Sequence, residues 1–292
     1  MSIFMGRVPT REVREHLGER VLVRGWLHAR RRLGGVTFLV IRDGWGTIQA
    51  VAETEEERAT LEAAAAGVES VIAVEGRVVR AEQAPDGIEL HQLEIEVITP
   101  VTEAPPVTLS KRELKAGLAT LLDEAVVANR HPTRRAVFRL QAGTMAACRA
   151  TLTARGFTEI QTPKLVASAT ESGANVFTLD YFGRPAYLAQ SPQFYKQIMV
   201  GVFERVFEVA PVFRAEPHDT TRHLNEYVSL DAEMGFIESH VTVMAVLRDV
   251  IADIFDALRE SYAPELKLLA QSVPEVPAEI PHIHFAEAQE LI

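Results

Sequence analysis

Cysteine is nearly absent: Cys148 is the only one in 292 residues. A single thiol excludes an internal disulfide framework and any metal cage built from several cysteines. Cys148 stands in an apolar helical pattern and reads as a small core residue. No run of about 18 apolar residues occurs, so no membrane-spanning helix is expected. Met1-Ser-Ile-Phe-Met5 is too short for the apolar core of a signal peptide, and arginines follow at once. The expected compartment is therefore the cytoplasm. Neither G-x-G-x-x-G nor G-x-x-x-x-G-K-[ST] is present, so neither glycine-rich loop holds a phosphate ligand here. No Ser-His-Asp or Cys-His arrangement stands out. His282 and His284 have no nearby carboxylate or third histidine, and no metal site is expected within the chain. Internal repeats are missing, and Ala63–Ala66 is the one low-complexity tract.

What is present is an ordinary hydrophobic content of 47% and enough length for two domains at about 150 residues each. Net charge is −10, which argues against a general nucleic-acid binder. The distribution changes that reading. Residues 1–50 carry nine arginines and no lysine, against Glu12, Glu15, Glu19 and Asp43. A basic segment on an acidic chain signals local phosphate binding, although a solvated basic face has the same composition.

Residues 21–99 read as strands with one helical interruption. Val21–His28 alternates, Val36–Arg42 follows Gly34-Gly35, and Thr47–Val51 follows Asp43-Gly-Trp-Gly46. Glu55–Ala66 is helical in composition; Val71–Val79 and Ile88–Ile98 close the set. Five strands with a helix between the third and fourth is the order of an OB-fold barrel. Gly25 and Gly76 fall where a small barrel bends. Arg30-Arg31-Arg32 lies between the first two strands, with Phe38 and Gln49 on the second and third. Aromatics on that face stack on unpaired bases while arginines track phosphate. Alternation alone leaves Phe38 either there or in the core.

Pro100, Pro105 and Pro106 mark a stiff linker. Ser110-Lys-Arg-Glu113 is a capping-box pattern that predicts a helix to about Asn129. Pro132 suits the first turn of a second helix, with Gly156 at its end. Phe157–Pro163 reads as a short strand, Ala167–Asn175 as a small-residue lid, and Val176–Gln190 as a hairpin across Gly183-Arg-Pro185. A helix from Ser191-Pro192 puts Gln193 and Lys196 on one face. Val206–Glu216 and Asn225–Met234 predict an antiparallel pair around a polar loop. Arg214 and Glu216 share a strand face, as do Asp231 and Glu233. Val241–Tyr262 predicts a long amphipathic helix. Strands joined by short turns, without a βαβ rhythm, argue against a Rossmann domain. The expected organisation is α+β, with a barrel domain over 1–103, a linker over 104–131 and a second domain over 132–292.

These ordered segments resemble the class II aminoacyl-tRNA synthetases, and within them the archaeal-type aspartyl enzymes. Gly156–Pro163 is similar to the class motif 1. Val212-Phe-Arg-Ala-Glu216 through Arg222-His-Leu224 to Asp231-Ala-Glu233 is similar to motif 2. Gln190-Ser-Pro-Gln-Phe-Tyr-Lys196 resembles the amino-acid-binding segment, and Ala169-Thr-Glu-Ser-Gly173 the flipping loop. Taken singly, Lys196 also fits a solvated lysine and Arg214–Glu216 a strand-face ion pair. The combination over nearly the whole chain sets them apart.

The resemblance implies ATP-dependent activation of L-aspartate to aspartyl-adenylate, then transfer to tRNA(Asp). It assigns Arg214 to the α-phosphate and Glu216 to the adenine amino group. Arg222 and His223 would meet the outer phosphates or the acceptor end. Lys196 would pair with the substrate side-chain carboxylate. Glu171 and Asp231 would surround the α-ammonium, with Ser191 and Gln193 completing the pocket. Arg214, Glu216 and Lys196 are thus the expected catalytic set, acting by positioning and electrostatics. In the barrel it implies anticodon contacts by Phe38, Gln49 and Arg31. His28 and Pro85 fall where tRNA(Asp) and tRNA(Asn) are told apart, and relaxed choice between them is expected. A homodimer follows from motif 1. The family's motif 3 and its magnesium ligands are not in this chain, so Mg2+ would be held elsewhere and the 292 residues alone are expected to be inactive. Two rival functions share these residues. One is an asparaginyl-tRNA synthetase or asparagine-making relative, which has no need of Lys196 as a counter-ion. The other is a non-catalytic tRNA-binding protein with a vestigial second half.

Overall fold

The computed structural model describes residues 6–169, 175–218, 220 and 223–291, with Pro85 as backbone only. The chain divides into two compact units, Met1–Arg134 and Arg135–Ile292.

The first unit is a closed barrel of β1 (Arg20–Leu33), β2 (Val36–Arg42), β3 (Thr47–Ala52), β4 (Val71–Arg80) and β5 (Ile88–Thr99). The order around it is β1-β2-β3-β5-β4, as the strand and helix order predicts. Strict alternation builds it: Val21, Val23 and Leu27 of β1, Leu39 and Ile41 of β2 and Leu90 of β5 all point inward and are buried. Each such aliphatic side chain contributes roughly 1.5–3 kcal/mol of burial. At Gly25 a Cβ would stand 2.3 Å from the Arg42 carbonyl oxygen, so only glycine lets β1 and β2 close this tightly. Helix α1 (Glu55–Ala63) starts with a full capping box between Thr54 and Glu57. The other Glu57 oxygen accepts from the Leu93 backbone N–H at 2.8 Å and ties α1 to β5.

The capping-box reading of Ser110–Glu113 is overturned. Residues 110–117 are not helical; α2 (Leu118–Asp123) begins after Gly117, and α3 (Ala125–Ala128) follows a break at Glu124. Val107 and Leu109 are buried instead, and the buried His131 ring lies 2.9 Å from the Lys111 carbonyl oxygen. Those tertiary contacts override a local helix-start signal.

Helix α4 (Pro132–Ala154) leads into the second unit, and Gly156 takes the left-handed φ of +80° that ends it. The motif-like strand is shorter than the sequence suggests: β6 is Thr158–Glu159. Strands β7 (Leu165–Val166), β8 (Thr178–Tyr181) and β9 (Arg184–Leu188) form one small sheet. Helix α5 (Gln193–Phe203) precedes β10 (Arg205–Phe213), which pairs antiparallel with β11 (Glu226–Met234) and parallel with β6. Helices α6 (His240–Ser261), α7 (Ala263–Leu268) and α8 (Phe285–Glu290) complete the unit. Phe207 and Val209 on one face of β10 pack with Cys148 and Leu152 of α4 and Val250, Ile254 and Leu258 of α6. The opposite face carries Glu208 on β10, with Asp231 and Glu233 beside it on β11. No described helix is long and apolar enough to cross a membrane.

Candidate active site and nucleic-acid interface

The β10–β11 register decides which side chains share that face. Val206 stands opposite Glu233, Glu208 opposite Asp231, Ala210 opposite Ser229 and Val212 opposite Tyr227. Period-2 alternation then adds Arg214 and Glu216 to the same row. Helix α5 brings Lys196 to it: the Lys196 ammonium lies 3.0 Å from Asp231 Oδ1 and 3.8 Å from Glu233 Oε2. The lysine side chain is 12% exposed, so this pair is largely shielded from solvent. Ser191 is buried, and its Oγ accepts from the Gln193 backbone N–H at 3.3 Å, which fixes the first turn of α5. Gln193, one turn before Lys196, is half-buried.

Arg214, Glu216, His223, Leu224 and Tyr227 line an open cavity of about 430 Å³. The hairpin holds its shape past the end of β10, because Arg214 N–H donates to the Asn225 carbonyl at 2.9 Å. The Asn225 amide, turned to donate, reaches the carbonyls of Arg214 and Glu216 at 3.1 and 3.2 Å. The Arg214 guanidinium stands 6.0 Å from the Tyr227 ring centre. His223 lies 3.6 Å from Glu216 Oε2 and 2.6 Å, through Nδ1, from Thr220 Oγ1. A cation, a carboxylate and a tyrosine around an open cavity suit a purine nucleotide with its phosphates. Glu171, Arg222 and the side chain of Pro85 lie outside the described residues.

Sequence reasoning missed a buried group on this face. Glu208 is only 2% exposed. Its carboxylate accepts from the Thr162 backbone N–H at 2.7 Å, the Thr162 hydroxyl at 2.8 Å and the Lys164 ammonium at 2.7 Å. Lys164 in turn accepts from Ala189 N–H through its carbonyl at 2.9 Å. Glu208 thereby anchors the end of the β6 segment and, through Lys164, the approach to Gln190 and Ser191. The signal was a glutamate inside the apolar run Val-Phe-Glu-Val-Ala. Glu233 was visible only as a neighbour of Asp231; its approach to Lys196 is a tertiary fact.

In the barrel, Phe38 lies on the outer side of β2, between the inward Thr37 and Leu39. Register places it opposite Arg31 on β1 and Val51 on β3. The Arg31 guanidinium is 5.6 Å from the Phe38 ring centre. Gln49 shares the outer face and donates to Glu89 Oε2 at 2.8 Å. The open alternative for Phe38 thus resolves to the surface. His28 is placed differently: its side chain is 11% exposed, with Nδ1 4.0 Å from Glu69. Glu69 is itself buried, forked by Arg42 at 2.9 and 2.7 Å and met by Arg130 at 3.1 Å. Among the described residues, no three His, Cys, Asp or Glu side chains converge as a metal site.

Comparisons with known proteins identify the family. Residues 118–292 match the model of the tRNA synthetases class II (D, K and N), and residues 21–98 that of an OB-fold nucleic acid binding domain. The whole chain is 49% identical to the aspartate–tRNA(Asp/Asn) ligase of Deinococcus radiodurans, covering 65% of it. It is 43% identical to the ligase of the same name from Thermus thermophilus, with 98% of this chain and 66% of that one aligned. Among solved structures, asparaginyl-tRNA synthetase from Pyrococcus horikoshii with asparaginyl-adenylate superposes with a TM-score of 0.86 at 31% identity, over 98% of this chain and 66% of that one. A Leishmania major protein described as a putative aspartyl-tRNA synthetase gives 0.81 at 34%, over 95% and 57%. The chain spans 65% of the length of the first of these relatives.

Proposed function

From a chain that belongs to the class II tRNA synthetases, we propose an aspartate–tRNA ligase, which activates L-aspartate with ATP and charges tRNA(Asp) and also tRNA(Asn). The observation that carries the reading is Lys196, largely shielded beside Asp231 on the same sheet face as the Arg214–Glu216 cavity. An aspartate side chain entering beside Lys196 meets a shielded cation. An asparagine amide gains far less there. Both carboxylates facing Lys196 pre-orient it, so little reorganisation is needed on binding.

The roles proposed are those the family resemblance implies. The α-carboxylate oxygen of aspartate attacks the α-phosphorus of ATP, and the bond to pyrophosphate breaks. Arg214 is proposed to hold the α-phosphate, where a planar guanidinium offsets the charge that builds on its oxygens. Glu216 accepts from the adenine amino group. His223, and Arg222, take the outer phosphates or the acceptor end. Asp231 and Glu171 receive the α-ammonium, while Ser191 and Gln193 close the pocket. The terminal ribose hydroxyl of tRNA then attacks the adenylate carbonyl carbon, and AMP leaves. ATP is a substrate here; Mg2+ would neutralise its phosphates.

In the barrel, Phe38 stacks on an unpaired anticodon base, Arg31 tracks phosphate and Gln49 reads a base edge. The aspartate–tRNA(Asp/Asn) names of the relatives support the wider tRNA range. His28 and Pro85 are the residues proposed to set it. Residues 1–103 serve as the anticodon-binding domain, 104–131 as the linker and 132–292 as catalytic domain, in a cytoplasmic homodimer. The exposed Val137 and Phe138 of α4 offer apolar surface for that dimer. Charging purified tRNA(Asp) and tRNA(Asn) with labelled aspartate by the full-length protein tests the reading. Charging of both supports it; charging of tRNA(Asp) alone overturns the wider range, and charging of neither overturns the function.

A further inference from the structure

One histidine beside the outer face of the barrel has no part in the reaction above. On β5, Ile88 and Leu90 point into the core, so Glu89 and His91 share the outer face. Parallel pairing of β3 and β5 sets Gln49 opposite Glu89. One Glu89 oxygen accepts from Gln49 at 2.8 Å, and the other lies 2.7 Å from His91 Nε2. The second ring nitrogen, Nδ1, is 3.4 Å from Glu53 Oε1. Glu89 is therefore committed on both oxygens, to the glutamine and to the histidine. Its side chain is 14% exposed and that of His91 24%.

An imidazole with a carboxylate at each nitrogen favours its charged form. Burial opposes that charge, but the hydrogen bonds and negative charges of Glu89 and Glu53 outweigh it and raise the His91 pKa above its usual 6.5. Two further charged groups near it are engaged elsewhere. Arg77, opposite His91 on β4, donates to the Gly18 carbonyl at 2.9 Å. Glu57, at the start of α1, accepts from backbone N–H groups including that of Leu93.

We propose that His91 is a positioning residue of the RNA-binding face: its imidazolium fixes Glu89, and through it the Gln49 amide, and offsets two carboxylates beside a phosphodiester ligand. This rests on the reading of the barrel as the anticodon-binding surface. When His91 loses its proton, Glu53 and Glu89 lose their shared counter-charge and repel the RNA backbone. Affinity then falls as pH rises through the His91 pKa. A lysine at this position would supply the charge without the titration.

The test is fluorescence anisotropy of the full 292-residue chain with a labelled RNA stem-loop carrying GUC in its loop. Binding is measured at fixed salt, at about pH 6 and about pH 8.5. The wild-type chain is expected to bind about five- to tenfold more weakly at the higher pH. His91→Ala is expected to be weak at both, and His91→Lys to keep the low-pH affinity at both. Absence of the pH step in the wild-type chain, or an equal step in His91→Lys, would overturn the proposal. Phe38→Ala separates the underlying reading: loss of binding supports the outer face as the RNA site. If the wild-type chain binds no stem-loop, or Phe38→Ala binds as tightly, that reading fails and His91 falls with it.

Discussion

The Lys196 ammonium is 3.0 Å from Asp231 Oδ1, across from a strand residue 35 positions later. Glu233 backs it at 3.8 Å. One cation facing two carboxylates leaves a net negative charge beside the lysine. On the proposed function, the substrate ammonium would meet those carboxylates while the substrate side-chain carboxylate meets Lys196.

Lys196→Met should lower kcat/KM for aspartate by about 100-fold or more in the full-length protein, since an interaction with a largely shielded charge is lost. Leaving Asp231 unpaired also costs stability. The double variant Lys196→Met, Asp231→Asn should recover much of the stability but little of the activity. Parallel urea melts and steady-state kinetics separate the two effects.

Arg214→Lys keeps the charge and loses the planar fork. Pyrophosphate exchange should fall by about 100-fold, as for loss of a preorganised transition-state donor. The far-UV circular dichroism should be unchanged. An exchange rate within a few-fold of the wild type would remove Arg214 from the α-phosphate.

Glu208→Ala removes the partner of a part-exposed ammonium, a hydroxyl and a backbone N–H together. The second unit should lose about 1–3 kcal/mol. Both tryptophans, Trp26 and Trp45, lie in the barrel. Their fluorescence transition should stay in place while the circular dichroism transition moves to lower urea.

Asp43 gives the barrel an acid-sensitive anchor. Burial alone would raise its pKa. Hydrogen bonds from the Thr10 hydroxyl and the backbone N–H groups of Thr10, Trp45 and Gly46 outweigh that and hold it below 3.8. A depressed folded pKa contributes stability that is complete above the unfolded value and is lost as pH falls through the folded one. Asp43→Asn should destabilise the barrel by about 1–3 kcal/mol at neutral pH. It should also flatten the loss of tryptophan-detected stability below about pH 4.

The barrel was readable because its strands alternate so regularly; Val21, Val23, Leu39 and Ile41 are inward as the pattern requires. The β10–β11 pair was readable from its β-branched and aromatic runs around a polar loop. Ser110–Glu113 misled, because burial of Val107 and Leu109 decides that segment rather than local capping. Phe38 could not be assigned a side from alternation; the Arg31 register settles it. The Glu208 anchor and the Gln49–Glu89–His91 row were out of reach, since each joins side chains from strands far apart in sequence.

Amino-acid-dependent ATP–pyrophosphate exchange by the full-length protein tests the central claim most directly. Aspartate should support exchange, and asparagine at the same concentration should support at least about 100-fold less, because the amide cannot pair with Lys196. Exchange driven by asparagine as well as or better than by aspartate would contradict the account.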